Sequence, residues 1–485
     1  RLELDGDVSL AGRLDGSDGG EERGKLRSGL RVHVVLERGH HIIGRERALG
    51  YGGRCVETVP HIPEEVIARI EHASKKDKAD FVLVEIGGTI GEYQNLIFFE
   101  AGRMMRLKNP DRVIFVVVSY LPVPHMIGEM KTKPTQHAVR ALNAAGIQPD
   151  MIIARSALPL DNPRKRKIAA FCNIKEEDII SAPDVKSIYE IPLNFEKGKI
   201  SGRILEKFGL ERKKCALSDW SRLARKIRRV RKEIKIGIVG KYFSTGRFTL
   251  SDSYISVIEA IKHASWIHNL KPNILWLNAE EYEKNPKKLV ELDGLHGVIV
   301  PGGFGDRGVE GKIKAIGYAR RKKIPFLGLC YGMQLAIVEF ARSVAKLRGA
   351  STTEINAKTP HPVISTLAEQ EKNLSEGKFG GSMRLGAYPC EIKSGTASAR
   401  AYGERNIVER HRHRYEFNNE FKDKFEKMGL IVSGVNPQRN LVEIIELKNH
   451  PFFVGTQFHP ELKSRPFKPH PLFAEFIKAA KTKPR

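Results

Sequence analysis

Cysteine is scarce in this chain: five residues among 485, namely Cys55, Cys172, Cys215, Cys330 and Cys390. An odd number at such wide spacing argues against a disulfide framework and against a cysteine-based zinc module. Long apolar runs are missing too. The best, Val113-Ile114-Phe115-Val116-Val117-Val118, has the length of a strand, where a bilayer-spanning helix needs about 18 residues. The first residues are rich in Asp, Gly and Arg and hold no apolar segment of the secretory type. These absences predict a reduced, cytoplasmic protein without a membrane partner.

What is present is a soluble globular balance, 41% hydrophobic and 29% charged. The length suits two or three domains. Lys and Arg number 82 against 57 Asp and Glu, a net charge of +25, and such an excess draws polyanions. Only residues 222–235 are densely basic, so a charge solvated over the whole surface explains the number as well as a polyanionic partner does. A nucleic-acid-binding reading has charge alone in its favour, without stacking motifs or a zinc module.

Texture changes along the chain. Residues 1–45 are rich in Gly, Arg and Asp, lack a period and read as loop, disorder or foreign sequence. Over 46–210, short β-rich runs (81–84, 113–118, 151–154) alternate with helical stretches such as 136–145, the pattern of a parallel sheet covered on both faces. Residues 211–234 read as a basic helical linker. Further strands at 236–239, 273–277, 297–300 and 325–328 open a second unit over 235–485. The expected fold class is α/β, with two doubly wound parallel-sheet domains.

The most informative segment is Pro325-Phe326-Leu327-Gly328-Leu329-Cys330-Tyr331-Gly332-Met333-Gln334. An apolar strand runs into Gly-x-Cys-x-Gly and then a helix, which is the nucleophile-elbow pattern with Cys in place of Ser. The glycines permit a sharp turn, and the helix N-terminus favours the thiolate. A buried structural cysteine in a tight turn is the plain alternative. Downstream, Phe458-His459-Pro460-Glu461 offers an imidazole with a carboxylate two positions on to orient it, completing the logic of an activated nucleophile. Upstream, Pro301-Gly302-Gly303-Phe304-Gly305 exposes backbone N–H groups suited to an oxyanion hole.

On these motifs residues 235–485 resemble a class I glutamine amidotransferase domain. The resemblance implies Cys330 as nucleophile, His459 as base and Glu461 as its orienting acid, with glutamine held by Gly303, Tyr331, Gly332, Met333, Gln334, Glu354, Arg414 and Tyr415. Segments outside the triad narrow it. Val84-Glu85-Ile86-Gly87-Gly88-Thr89-Ile90-Gly91-Glu92, Lys131-Thr132-Lys133-Pro134-Thr135-Gln136-His137, Ser187-Ile188-Tyr189-Glu190-Ile191-Pro192 and Arg410-His411-Arg412-His413-Arg414-Tyr415-Glu416 resemble the CTP synthase family. That family, a group of ligases of pyrimidine biosynthesis, phosphorylates the C4 oxygen of UTP with ATP and displaces phosphate with ammonia from glutamine.

The resemblance implies UTP and CTP contacts at Lys131, Thr132, Lys133, Pro134, Thr135, Gln136 and Lys167, and inhibitor CTP near Glu92, Tyr93 and Gln94. Gln94 stands where an acidic residue is more usual, which puts feedback affinity in doubt. It also implies ATP contacts at Arg155, Asp184 and Val185, a magnesium ligand at Glu85, GTP as an activator with Arg307 as a candidate contact, and a homotetramer. One departure stands out: the family's glycine-rich phosphate loop and second magnesium-binding aspartate are not found. The nearest string, residues 19–26, follows no buried strand, carries Glu21 and Glu22, and places Leu26 where Ser or Thr should meet the metal. The sequence as written therefore predicts an incomplete ATP site and little CTP formation even with ammonia supplied. CTP made from UTP, ATP and ammonium chloride at about 1 per second or faster would overturn that expectation. A glutaminase without a synthetase reaction is the competing reading.

Overall fold

Apolar strands alternating with helices build two compact units, Arg1–Arg225 and Lys226–Arg485. The structure, a computed structural model, describes residues 30–32, 38–212, 216–241, 244–245, 248–249, 254–366 and 383–482. The string at residues 19–26 weighed as a phosphate loop lies outside the described residues. No described helix is long and apolar enough to cross a membrane.

In the first unit a short strand β1 (Leu30–Val32) pairs in parallel with β2 (Val82–Val84), and helices α1 (Arg38–Arg47) and α2 (Thr58–Asp77) lie between them in sequence. The irregular chain expected up to residue 45 thus contains a strand and the start of a helix. The helix escapes a hydrophobic reading because its Arg, Gly and His residues outnumber its apolar ones. After β2 come α3 (Leu96–Lys108) and the parallel sheet β3 (Val116–Tyr120), β4 (Met151–Ser156) and β5 (Ile179–Pro183), in that spatial order. Helices α4 (Lys133–Ala144) and α5 (Asn162–Cys172) connect these strands and bury Val139, Leu142 and Ile168 with Val117, Ile152 and Ile179 in one core. The expectation of two covered faces fails on β3, where Val116, Val118 and Tyr120 are exposed while Val117 and Ser119 are buried.

The carboxyl ends of the three strands are laced together. Leu121 N donates to Arg155 O at 2.7 Å, Ser156 Oγ to Leu121 O at 2.8 Å, and Asp184 N to Ser156 O at 2.9 Å. This edge, where α4 and α5 begin, is where doubly wound sheets place ligands. The unit continues through α6 (Ile191–Lys197) and α7 (Ile200–Lys207) to α8 (Ser218–Arg229), whose Trp220 donates to Tyr189 O at 2.6 Å. The basic linker is thus anchored at its start, and the division between units falls within α8.

The second unit is organised by a nine-stranded sheet in the order β15-β14-β17-β18-β19-β11-β10-β6-β9. Its parallel half comprises β6 (Glu233–Gly240), β9 (Lys271–Asn278), β10 (Gly297–Val300), β11 (Phe326–Leu329) and β19 (Phe453–Thr456). The four remaining strands, β14 (Arg384–Ile392), β15 (Asn406–His413), β17 (Leu430–Asn436) and β18 (Leu441–Leu447), are antiparallel. The parallel sheet expected for this unit is present and is extended by an antiparallel half. The pair β7 (Ser244–Thr245) with β8 (Phe248–Thr249) and the three-stranded sheet of β12 (Ser351–Thr352), β13 (Pro362–Ser365) and β16 (Glu416–Phe417) lie outside it. Two apolar layers flank the main sheet: one holds α10 (Ala279–Lys284), α11 (Val309–Arg321) and α12 (Tyr331–Ser343), the other α9 (Ile255–Ile267) and the carboxyl-terminal helix Pro471–Thr482.

Candidate active site

The strand-to-helix turn from β11 to α12 forces one residue into an unusual conformation. Cys330 sits there with φ 50° and ψ −102°, a region that costs a non-glycine residue of order 1–3 kcal/mol. Its neighbours explain why the turn is so tight. A Cβ on Gly332 would lie 2.1 Å from Val300 O, and one on Gly328 would lie 2.8 Å from the Gly332 backbone. Both glycines let α12 pack directly on its strands. Cys330 N donates to Thr456 O of β19 at 2.6 Å, so the elbow is tied to the adjacent strand.

His459 follows β19 and is held through its backbone N–H on Arg410 O of β15 at 2.8 Å. Its Nδ1 meets Glu461 Oε1 at 2.7 Å. Burial disfavours the imidazolium, but Glu461 and Cys330 outweigh burial and hold the imidazole pKa well above its ordinary value. Of the other described cysteines, Cys172 is pushed up to about 11 by burial, Cys390 is raised further, and Cys55 is exposed on no such turn. The elbow singles out Cys330 as the thiol with an imidazole beside it.

The residues expected around glutamine come from distant parts of the chain and converge. Glu354 Oε1 accepts from Gly305 N at 2.8 Å; burial raises its pKa, opposed by that N–H and by Lys241 and Arg414. Gly303 and Gly302 lie in the loop after β10, and a Cβ on Gly302 would meet His459 Cε1 at 3.0 Å. Gln334 Nε2 donates to Tyr415 O at 2.8 Å. Tyr331 donates its hydroxyl to Gly305 O at 2.8 Å. Met333 is fully buried, and a Cβ on Gly455 would lie 3.0 Å from its side chain, so only its backbone is placed for a ligand. Arg307 donates to Lys241 O at 2.8 Å and pairs with Glu280 at 3.0 Å.

Sequence reasoning missed three side chains here. Lys241 donates to Phe304 O and holds the glycine loop. Lys312 is wholly buried with its Nζ 5.4 Å from the centre of the Tyr331 ring, and burial together with Lys241 pushes its pKa down to about 7. Gln457 is wholly buried, with Nε2 3.8 Å from Cys330 Sγ. The Lys312 sequence context, Gly311-Lys312-Ile313-Lys314, looks like any exposed helix. The signal at Gln457 was a polar residue directly after the apolar strand that leads to His459.

In the first unit, the expected nucleotide residues gather at the carboxyl edge of β3–β5. Thr132 precedes α4, Pro134 sits in its first turn and Lys133 is exposed at its start, where the first turn of the helix leaves backbone N–H groups unpaired within the helix. Lys131 pairs with Glu129 at 2.7 Å, and Arg164 reaches the same carboxylate at 3.1 Å. Thr135 is committed to packing, its Oγ1 2.8 Å from Ser119 Oγ. Gln136 Nε2 donates to Thr132 Oγ1 at 3.1 Å, and Lys167 lies exposed on α5. Arg155 and Asp184 approach to 3.8 Å, with Val185 next in the chain. After β2, Glu85 is exposed and Tyr93 is fully open to solvent. Glu92 accepts from Thr89 N at 2.7 Å and from Gln94 Nε2 at 2.5 Å, which commits its carboxylate to the loop. Among the described residues no group of three or more His, Cys, Asp or Glu is placed to hold a metal ion.

Family models match segments of both units. The family described as CTP synthase N-terminus matches residues 38–210, and glutamine amidotransferase class-I matches residues 249–479. The CTP synthase of Caldanaerobacter subterraneus is 47% identical over 90% of this chain and 80% of its own length. That of Carboxydothermus hydrogenoformans is 48% identical over 90% and 81%. A solved glutaminase domain of Trypanosoma brucei CTPS, described with bound acivicin, is 35% identical, covers 52% of this chain and 95% of its own, and has a TM-score of 0.48.

The raised pKa of His459 depends on the Glu461 charge. Glu461→Gln is expected to lower the midpoint of His459 protonation by about one unit or more, so the imidazolium is lost at a lower pH than in the parent. Histidine ring resonances followed through a pH titration measure this; an unmoved midpoint would show that Glu461 does not govern the base.

Proposed function

Because this chain belongs to the CTP synthase family, we propose that Cys330, His459 and Glu461 release ammonia from glutamine and that the first unit uses it to aminate UTP. The protein is an enzyme, a glutamine-hydrolysing ligase that forms a carbon–nitrogen bond. The observation that carries the residue assignment is the elbow itself: Cys330 on its strained turn beside an imidazole held by Glu461 at 2.7 Å.

His459 takes the thiol proton, and the Cys330 thiolate attacks the glutamine carboxamide. The negative charge that develops on the carboxamide oxygen falls to backbone N–H groups of the Gly302–Gly303 loop and the start of α12. The imidazolium gives its proton to the departing nitrogen, and ammonia leaves. Water, deprotonated by His459, then attacks the thioester carbon; the carbon–sulfur bond breaks, its electron pair stays on sulfur, and glutamate is released. Glu461 holds the imidazole in one tautomer and stabilises its charged form throughout. Gly303, Gln334, Glu354, Arg414 and Tyr415 orient the substrate.

In the first unit the start of α4, with Thr132, Lys133 and Gln136, binds the uridine triphosphate, supported by Lys167. Arg155, Asp184 and Val185 are the ATP contacts the sequence retains; with no glycine-rich phosphate loop found beside them, phosphorylation of the C4 oxygen, which ammonia would complete by displacing the phosphate, is expected to be slow. Glu85 would offer one carboxylate to a magnesium ion, which would neutralise charge on the ATP phosphates. CTP as inhibitor contacts Tyr93 and Gln94, and GTP as activator contacts Arg307. The assembly is a cytoplasmic homotetramer.

Cys330→Ala is expected to reduce glutamine hydrolysis by about a thousandfold or more, read as glutamate release. Near-parent hydrolysis would remove Cys330 from the mechanism. Lys133→Ala is expected to weaken UTP binding roughly tenfold, measured by calorimetry, while glutamine hydrolysis stays at the parent rate. Equal UTP affinities would return Lys133 to an ordinary solvated lysine.

A further inference from the structure

We propose that Gln457 is a further catalytic residue of the glutaminase site: its side-chain amide donates to the Cys330 sulfur and stabilises the thiolate. The inference rests on the reading of Cys330 as nucleophile and goes beyond the triad.

The backbone of Gln457 is pinned on both sides. Its N–H donates to Glu443 O of β18 at 2.8 Å, and the residue before it, Thr456, accepts from Cys330 N at 2.6 Å. The side chain therefore leaves the sheet at a set place beside the elbow, with no exposure to solvent. Nε2 lies 3.8 Å from Cys330 Sγ, within hydrogen-bond reach of sulfur. A buried primary amide has a donor end and an acceptor end, and neighbouring groups decide which faces which way. Here Gln334 decides it. Gln334 Nε2 donates to Gln457 Oε1 at 3.3 Å and to Tyr415 O at 2.8 Å. Turning the Gln457 amide over would set two N–H groups against each other and an oxygen against the sulfur.

The other polar neighbour of the sulfur acts in the opposite sense. The Arg412 carbonyl oxygen lies 3.8 Å from Sγ, an acceptor that suits a thiol S–H and repels a thiolate. The Gln457 N–H suits the sulfur in both states but binds an anion more strongly, because a hydrogen bond to a charged partner is roughly twice as strong as a neutral one. Negative charge reaches Sγ twice in the cycle: when the thiol proton passes to His459, and when the thioester carbon–sulfur bond breaks. In a dry site a preoriented donor at the atom where charge develops lowers both barriers. The backbone N–H groups near Gly303 serve the substrate oxygen and leave the sulfur to Gln457 and His459.

The test uses two variants of the full chain, Gln457→Met, which keeps length and removes the donor, and Gln457→Glu, which presents an acceptor to the sulfur. Both are first checked for a parent-like thermal transition. Alkylation of Cys330 by iodoacetamide is followed by mass spectrometry across pH, alongside glutamine hydrolysis. The pH at half-maximal alkylation is expected to rise by about half a unit to one unit in Gln457→Met and further in Gln457→Glu. The kcat for glutamine should fall about tenfold or more, with KM within about threefold of the parent value. A folded variant with an unmoved alkylation midpoint and parent kcat overturns the proposal. So does a raised KM with unchanged kcat and midpoint, which would assign Gln457 to glutamine binding through Gln334. If Gln457→Met fails to fold, Gln457→Glu alone decides, because its added charge at the sulfur must move the midpoint upward. Hydrolysis that survives Cys330→Ala sinks the nucleophile reading as well, whereas an inactive Cys330→Ala beside indifferent Gln457 variants sinks this inference alone.

Discussion

Cys330 occupies a backbone conformation that its side chain disfavours, and the close packing of the second unit around its turn holds it there. Strand β11 ends at Leu329 and α12 begins at Tyr331, with the thiol residue alone between them. Gly328 and Gly332 allow the helix to touch its strand, with Val300 O close against the place where a Gly332 side chain would be. The fully buried core on this side of the sheet, including Val300, Phe326, Met333 and Ile337, presses the helix into place. The strain at one residue is thus balanced by packing over many, which is how functional turns of this kind persist. It leaves the sulfur at a helix N-terminus, where an anion is favoured.

Around that turn, antiparallel strands supply the groups that a purely parallel sheet would lack. β15 contributes Arg410 O to the backbone of His459 and Arg412 O beside the sulfur. β18 contributes Glu443 O to Gln457. Beneath them lies a buried ionic network. Arg384 bonds Glu416 at 3.0 Å and Glu443 at 2.8 Å, and His413 meets Glu416 at 2.7 Å. The two carboxylates respond differently. Burial opposes charge on both, but His413 and Arg384 together hold Glu416 low, whereas Glu443, with Arg384 as its nearest cation and Glu416 repelling it, is pushed up to about 7. A shared arginine cannot fully neutralise two buried acids, and the one with a second partner keeps its charge.

The first unit places its polar groups by a different device. Hydrogen bonds between the ends of β3, β4 and β5 bring Leu121, Arg155, Ser156 and Asp184 to one edge, and the connections that leave this edge start α4 and α5. Some of the residues expected to meet a nucleotide are already engaged: Thr135 with Ser119, Lys131 with Glu129, and Glu92 with its own loop. Lys133, Lys167 and Tyr93 remain exposed. A motif that spells out nucleotide recognition as a string is, in three dimensions, divided between groups that shape the edge and groups that face outward.

Much of the fold and of the triad could be read from the chain alone, because those features are local. Buried strands announce themselves as short apolar runs: 236–239, 297–300 and 325–328 fall within or beside β6, β10 and β11. The elbow is legible because glycine spacing and a strand-helix switch are contained in ten residues, and His459 and Glu461 because they are two positions apart. Family resemblance pointed to Glu354 and Tyr415, which meet Gly305 N and Gln334 Nε2. Tertiary structure alone decided what depends on contact across the sequence. It set the antiparallel half of the sheet, whose strand order no local pattern encodes. It brought Arg164 to Glu129 and buried Lys312 against Tyr331, since a basic residue codes equally for a solvated face and a core position. It brought Gln457 to Cys330 over a separation of 127 residues, because the direction of a buried amide is set by the groups that surround it and not by its neighbours in the chain.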